Sequence, residues 1–353
     1  MNSVELLREI VQKSNGFGCT TFSIENENQI VFGRNFDFMI DYGHIIVNKR
    51  NVSKTALVPP SEKQLNWTSK FGSITFNQVG REFPFGGMNE SGLVIEQLWF
   101  NSTQYPEPDN RYGVSVLQWI QYQLDTAESI DDIIESDSRL RIIDDSGATL
   151  HFFITDKSGN SACIEFVNGK KEVAKEEKLT VSALTNNSYA ESIKSLSYSK
   201  KEDHHQSVFT GNSLIRFAKT AEMLKEFSSS SSSSLINYSF KILEEVKQEN
   251  FTQWSIVYDI SNLEIHFKTK SNSIKQIIRL TDFDFSSATH CLVSNMENLK
   301  FDKYSSSSNL ALINKVFDSL DMLKGISKEI REVSSNYPDS TVFNDKTDNM
   351  VYK

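Results

Sequence analysis

Three times along this chain, two runs rich in β-branched and aromatic residues face each other across a short polar turn. CTTFSI and QIVFGRNFDF flank ENEN, LHFFITD and SACIEF flank KSGN, and WSIVYDI and LEIHFKT flank Ser261-Asn262. A turn this short can return the chain only as an antiparallel neighbour, so the protein must be built on hairpins. Apolar residues recur at helical spacing in SVLQWIQYQLDTAESIDDIIE, SLIRFAKTAEMLKEF, SLINYSFKILEEVKQ and ALINKVFDSLDMLKGISKEIREV. Helices and hairpins come in blocks, which predicts an α+β domain with helices packed over sheet faces. Val4, Leu7 and Val11 add one short amphipathic helix before the first hairpin, ending at Asn15-Gly16-Phe17-Gly18.

Charge and cysteine usage exclude several functions. Lys plus Arg number 37 against 46 Asp plus Glu, a net charge of -9 with no basic surplus to neutralise phosphates, so nucleic acid is not an expected partner. No stretch approaches the roughly 20 apolar residues of a membrane span. The three cysteines, Cys19, Cys163 and Cys291, form neither a CxxC pair nor a zinc spacing with histidine, so neither a disulfide scaffold nor a structural metal site is expected. His204-His205 reads as a polar loop pair, and Ser228 to Ser234 as a surface loop. Glu5, Arg8 and Glu9 interrupt every apolar run near the N-terminus, leaving no secretory h-region and giving a cytoplasmic expectation.

Cys19 follows Gly16-Phe17-Gly18 and opens the first predicted strand; alone, a strand cysteine is a small buried hydrophobe. Fifteen positions on, GRNFD sets Arg34 and Asp37 three residues apart on the paired strand. A surface salt bridge is the plain reading of that pair. An adjacent cation would instead favour the reactive thiolate of a cysteine whose ordinary pKa is near 8.5. Cys163 and Cys291 sit in apolar runs and read as packing residues.

Together Cys19-Thr20, FGRNFD at 32–37, GGMNESGLVIEQLW at 86–99, LTNN at 184–187, IRF at 215–217 and TQWSIVYD late in the chain resemble the choloylglycine hydrolase and penicillin V acylase family of N-terminal-nucleophile hydrolases. The blocks keep the family's order from Cys19 to about Thr269. The resemblance implies a four-layer αββα sandwich and a cysteine amidase acting on a linear N-acyl amide, without cofactor or metal. It further implies Cys19 as nucleophile, completed by Arg34, Asp37, Asn186 and Arg216. Trp99 falls where relatives often carry an oxyanion-hole Asn or Tyr, and an indole has one hydrogen-bond donor only. Trp99 and Phe36 are also expected to line an acyl pocket, and Asn186 to donate to the oxyanion.

In this scheme 1–18 is a leader whose removal frees the α-amine of Cys19 as the general base, 19–333 is one catalytic domain, and 334–353 is a polar tail. Self-cleavage and a separate protease both remain open for that removal. Acyl transfer on the same thioester, and a silent binding module that keeps its leader, are the competing functions. Expected partners are a small-molecule N-acyl amide and, as an open alternative, a second copy of the chain.

Overall fold

The structure is a computed structural model that describes residues 18–198, 208–227, 234–321, 323–341 and 343–344. The N-terminal helix expected within 1–17, the His204-His205 pair and the serines at 228–233 lie outside the described residues.

All three predicted hairpins form. The first joins β1 (Gly18–Asn26) to β2 (Gln29–Asp37) in continuous register, with Gly18 opposite Asp37, Cys19 opposite Phe36 and Thr21 opposite Arg34. They lie in a six-stranded antiparallel sheet in the order Ala183–Leu184, β1, β2, Thr252–Asp259, Glu264–Thr269 and Gln276–Arg279. A nine-stranded sheet follows the order Lys170–Lys175, Ser161–Val167, Leu150–Thr155, Val94–Trp99, Pro84–Asn89, Ser73–Asn77, His44–Asn48, Leu292–Asn295 and Asp302–Lys303.

The two sheets meet face to face, because the alternation of each strand gives it an apolar inner side. Phe22, Phe32, Phe76, Phe153, Tyr258 and Phe267 are fully buried in the core they enclose. Each such ring stabilises the fold by about 1.5–3 kcal/mol of burial. Helices Val208–Glu226 and Leu235–Glu245 pack over β1 and β2 on the outer side of the first sheet. Val116–Thr126 covers the second sheet through a separate core that includes Trp119, Ile120 and Phe152. The order of layers is helix, sheet, sheet, helix: the αββα sandwich.

Two long helical patterns are broken in the structure. Residues 115–135 form two helices because Ser129 and Asp132 close a reciprocal capping box that starts Ile130–Ser136 afresh. The last pattern divides into Ser306–Ser319 and Lys328–Thr341, with Gly325 between them. The second of these helices runs through position 334, where the sequence suggested a polar tail. Tyr337 anchors it, 4% exposed, stacked on Phe83 and donating a hydrogen bond to the Thr55 carbonyl. Asn344 pairs further with Val52, while 345–353 lie outside the described residues.

Candidate active site

The end of β1 is where the two faces of one sheet supply different halves of a site. Residues two apart on a strand share a face, so Cys19, Arg34 and Phe36 look inward to the second sheet. Thr20, Asn35 and Asp37 look outward to the helices. Arg34 is fully buried. One of its terminal nitrogens forms an ion pair with Glu96 and a 3.2 Å hydrogen bond to the Phe85 carbonyl. The other lies 3.2 Å from the Gln97 carbonyl and 3.9 Å from the Cys19 sulfur.

From the outer side, helix Val208–Glu226 brings Arg216 to the main chain of the same cysteine. Its guanidinium donates to the Cys19 carbonyl at 2.5 Å, to Thr20 Oγ1 at 2.7 Å and to Asn186 Oδ1 at 2.9 Å. Asn212, one turn earlier, accepts from Arg216 Nε at 2.9 Å. Asn186 Oδ1 also accepts the Cys19 main-chain N–H at 2.7 Å. Asp37 takes a hydrogen bond from Gln248 Nε2 and another from Thr252 Oγ1, each at 2.5 Å. The other four residues implied by the resemblance, Arg34, Asp37, Asn186 and Arg216, therefore converge on Cys19.

Gly18 is fitted to this place. A Cβ there would press on Gln248 Nε2 and Arg216 Nη2, so a side chain at position 18 would require both to shift.

Trp99 and Phe36 enter differently from expectation. The indole N–H of Trp99 is committed to Asn101 Oδ1 at 2.5 Å, and the ring lines a cleft of about 820 Å³ with Tyr105, Arg141 and Asp145, which does not include Cys19. What Trp99 gives the site is its carbonyl, which accepts from Asn186 Nδ2 at 2.8 Å. A primary amide carries two N–H donors, so one remains on Asn186. Phe36 packs between Phe38, Phe85 and Trp254 and is 4% exposed, a wall of the core rather than an open pocket surface.

Burial dominates the electrostatics. It pushes the Cys19 thiol above its ordinary range, more than Arg34 beside it and the Asp37 main-chain N–H can draw it down, and the Asp37 charge adds to the rise. With Cys19 in peptide linkage to Gly18, proximity of Arg34 therefore does not by itself bring the thiol below its ordinary range. Burial likewise raises Asp37 against the pull of Arg216, Thr252 and Gln248, and lowers Arg216 against the pull of Asp37 and Cys19.

Several contributors lay beyond the sequence reading. Ser213 Oγ accepts the main-chain N–H groups of Asn186 and Asn187 at 2.9 and 3.1 Å, fixing the turn that presents the amide. Gln248, Thr252, Glu96 and Tyr258 also belong to the site's support. Glu96 had a visible signal: in VIEQLW it shares a face with Val94 and Leu98, and an acid on an apolar face needs a buried partner. Asp259, Glu264 and His266 come within 4.8 Å of one another at the far end of the first sheet. Their carboxylates are already engaged by Gln29, Asn262, Arg279 and His266 itself, so this trio reads as a hairpin clamp.

No helix among the described residues is long and apolar enough to cross a membrane. Penicillin V acylase from Pectobacterium atrosepticum is 33% identical over 124 residues, 31% of this chain and 33% of that protein. The chain thus matches about a third of the length of that curated relative. Penicillin V acylase from Agrobacterium tumefaciens superposes with a TM-score of 0.66 at 24% identity, covering 78% of this chain and 90% of that one. A variant of conjugated bile acid hydrolase from Clostridium perfringens gives 0.63 at 20%, covering 81% and 97%. At such identities these two solved structures establish a shared fold. The model of the linear amide C-N hydrolases, choloylglycine hydrolase family, matches residues 19–283. With that match starting on the cysteine where the site converges, the chain belongs to the choloylglycine hydrolase family.

Proposed function

We propose that the chain is a cysteine N-terminal-nucleophile amidase that hydrolyses the C–N bond of a linear N-acyl amide through an acyl-thioester on Cys19. The observation that carries this reading is the treatment of one residue's two ends: the Cys19 main-chain nitrogen is held by Asn186 at 2.7 Å and its sulfur faces Arg34 at 3.9 Å. A packing cysteine needs neither.

Opening the Gly18–Cys19 peptide bond converts that nitrogen into an α-amine with an ordinary pKa of roughly 7.7–8.0. The amine then takes the thiol proton as sulfur attacks the substrate carbonyl. The tetrahedral oxyanion draws on the remaining Asn186 N–H, and its collapse breaks the C–N bond as the amine passes its proton to the leaving nitrogen. Water next attacks the thioester, giving up a proton to the α-amine; the acid leaves and the thiol is restored. Asp37 and Asn186 Oδ1 orient the amine, and Arg216 fixes the Cys19 carbonyl. Loss of Gly18 also clears the space beside Gln248 and Arg216.

The substrate class is an acyl group on an amide nitrogen. Phenoxyacetyl penicillins and conjugated bile acids, the classes named for the relatives, belong in the first panel with N-acyl homoserine lactones and N-acylethanolamines. The test combines intact mass with amine release over that panel. A chain beginning at Cys19 that releases amine, and a Cys19→Ser variant with no turnover above background, are the expected results. A permanently attached leader with undiminished turnover in Cys19→Ser would overturn the reading.

A further inference from the structure

The acid behind Arg34 has no part in that reaction scheme, yet the fold makes unusual provision for it. Glu96 is fully buried on an inward face. One oxygen pairs with Arg34 and the other accepts the Tyr258 hydroxyl at 2.5 Å. Directly across the sheet stands Gly86, where a Cβ would lie 1.9 Å from the carboxylate. Any side chain at position 86 would displace the acid. The same guanidinium that holds Glu96 through one nitrogen turns the other toward the Cys19 sulfur.

We propose that Glu96 is a positioning residue for the reactive sulfur: held by Tyr258 beneath Gly86, its carboxylate shares the Arg34 guanidinium with Cys19 and so sets how much of that positive charge the sulfur feels. This rests on Cys19 being the reactive residue. Two negative groups on one cation oppose each other, so an ionised Glu96 discourages the thiolate and a protonated one releases Arg34 to it. Burial lifts the Glu96 carboxyl to about 7, against Arg34 and Tyr258, so it exchanges its proton in the range where an amidase works. The charged groups facing the sulfur are Arg34 and Asp37 from β2, with Arg216 from the helix; facing Glu96 are the Arg34 cation and the neutral, titratable Tyr258 hydroxyl.

The test is the pH midpoint of Cys19 alkylation by iodoacetamide, followed by peptide mapping so that Cys163 and Cys291 are counted separately, with Cys19→Ser as blank. In Glu96→Gln the guanidinium keeps its two carbonyl anchors, Phe85 and Gln97, at 3.2 Å. The midpoint should fall by about one unit, tenfold more thiolate at a given pH below it. Tyr258→Phe removes the hydroxyl that favours ionised Glu96 and should move the midpoint the same way by less. Were Glu96 only a structural anchor, Arg34 would drift from the sulfur and the midpoint would rise or stay. A midpoint unmoved or raised in folded Glu96→Gln overturns the proposal. Should that variant not fold, Tyr258→Phe decides by the same sign. The readout needs no turnover, so failure of the amidase reading, seen in the Cys19→Ser turnover assay, is distinguishable from failure here.

Discussion

Cys19 and Cys291 are both free, buried thiols within reach of cations, and only one has the surroundings of a nucleophile. Around Cys291, burial raises the thiol while Arg81, Lys49 and Lys54 pull it down and Glu82 pushes it up. Those cations are committed elsewhere. Lys54 lies 2.9 Å from both Glu82 and Asp125, Lys49 donates to the Asp284 carbonyl and Thr289, and Arg81 sits 4.7 Å over the Tyr304 ring. The Cys291 sulfur itself is 3.9 Å from the Leu292 carbonyl, its neighbour along the chain. At Cys19, by contrast, an arginine nitrogen turns to the sulfur, and a side-chain amide and a second arginine grip the main chain on either side of Cα. A nearby positive charge does not distinguish a reactive cysteine; donors aimed at its sulfur, and a use for its nitrogen, do.

The sharpest way to break this comparison is to empty the Cys291 region of its central cation. Lys54 is buried between two carboxylates, with Trp67 and Gln121 completing the coordination of Asp125. Lys54→Met strands two acids in the interior and should cost about 3–5 kcal/mol, read as a lower urea midpoint. Amine release per folded molecule should be unchanged. A loss of specific activity in the folded variant would mean that the two buried clusters are not separate.

Much of the Cys19 site was legible because its members lie in short motifs whose residue types have a chemical use. Cys19, Arg34 and Asp37 sit on one predicted hairpin, so sequence and register bring them together. Asn186 and Arg216 needed the family resemblance, since nothing local says that a loop amide and a helical arginine meet 30 positions apart. Ser213, Gln248 and Thr252 stayed hidden because a serine, glutamine or threonine acquires a role only through a long-range partner. At Trp99 the contact with the site is made by the main-chain carbonyl, which every residue type has, while the indole N–H goes to Asn101. The helix breaks at Ser129 and Gly325 were readable in kind, as capping chemistry and a glycine, but hydrophobic period masked them.

Gly18 offers the next test, because under the proposed processing it touches the site only before the Gly18–Cys19 bond opens. Gly18→Ala would drive a methyl into Gln248 and Arg216, an overpacking cost of about 1–3 kcal/mol confined to the unprocessed chain. Intact mass over time should show slower appearance of the chain starting at Cys19, while the mature enzyme, which lacks residue 18, should match the parent in turnover. Equal processing rates would remove Arg216 and Gln248 from the geometry of that step.

The smallest expected effect isolates Arg34 itself. Because Arg34 lowers the Cys19 pKa against burial, its removal must raise it, and each unit of rise leaves tenfold less thiolate at neutral pH, about 1.4 kcal/mol. Arg34→Ala alone would leave Glu96 buried without a cation, so instability would confuse the result. The double variant Arg34→Ala/Glu96→Gln removes both charges, and against Glu96→Gln its later alkylation midpoint measures the arginine alone. Arg81→Ala, beside Cys291, should leave the Cys19 midpoint where it was. If the two arginine variants moved that midpoint equally, the field of the whole interior, and not the contact at 3.9 Å, would be setting the ionisation of the sulfur.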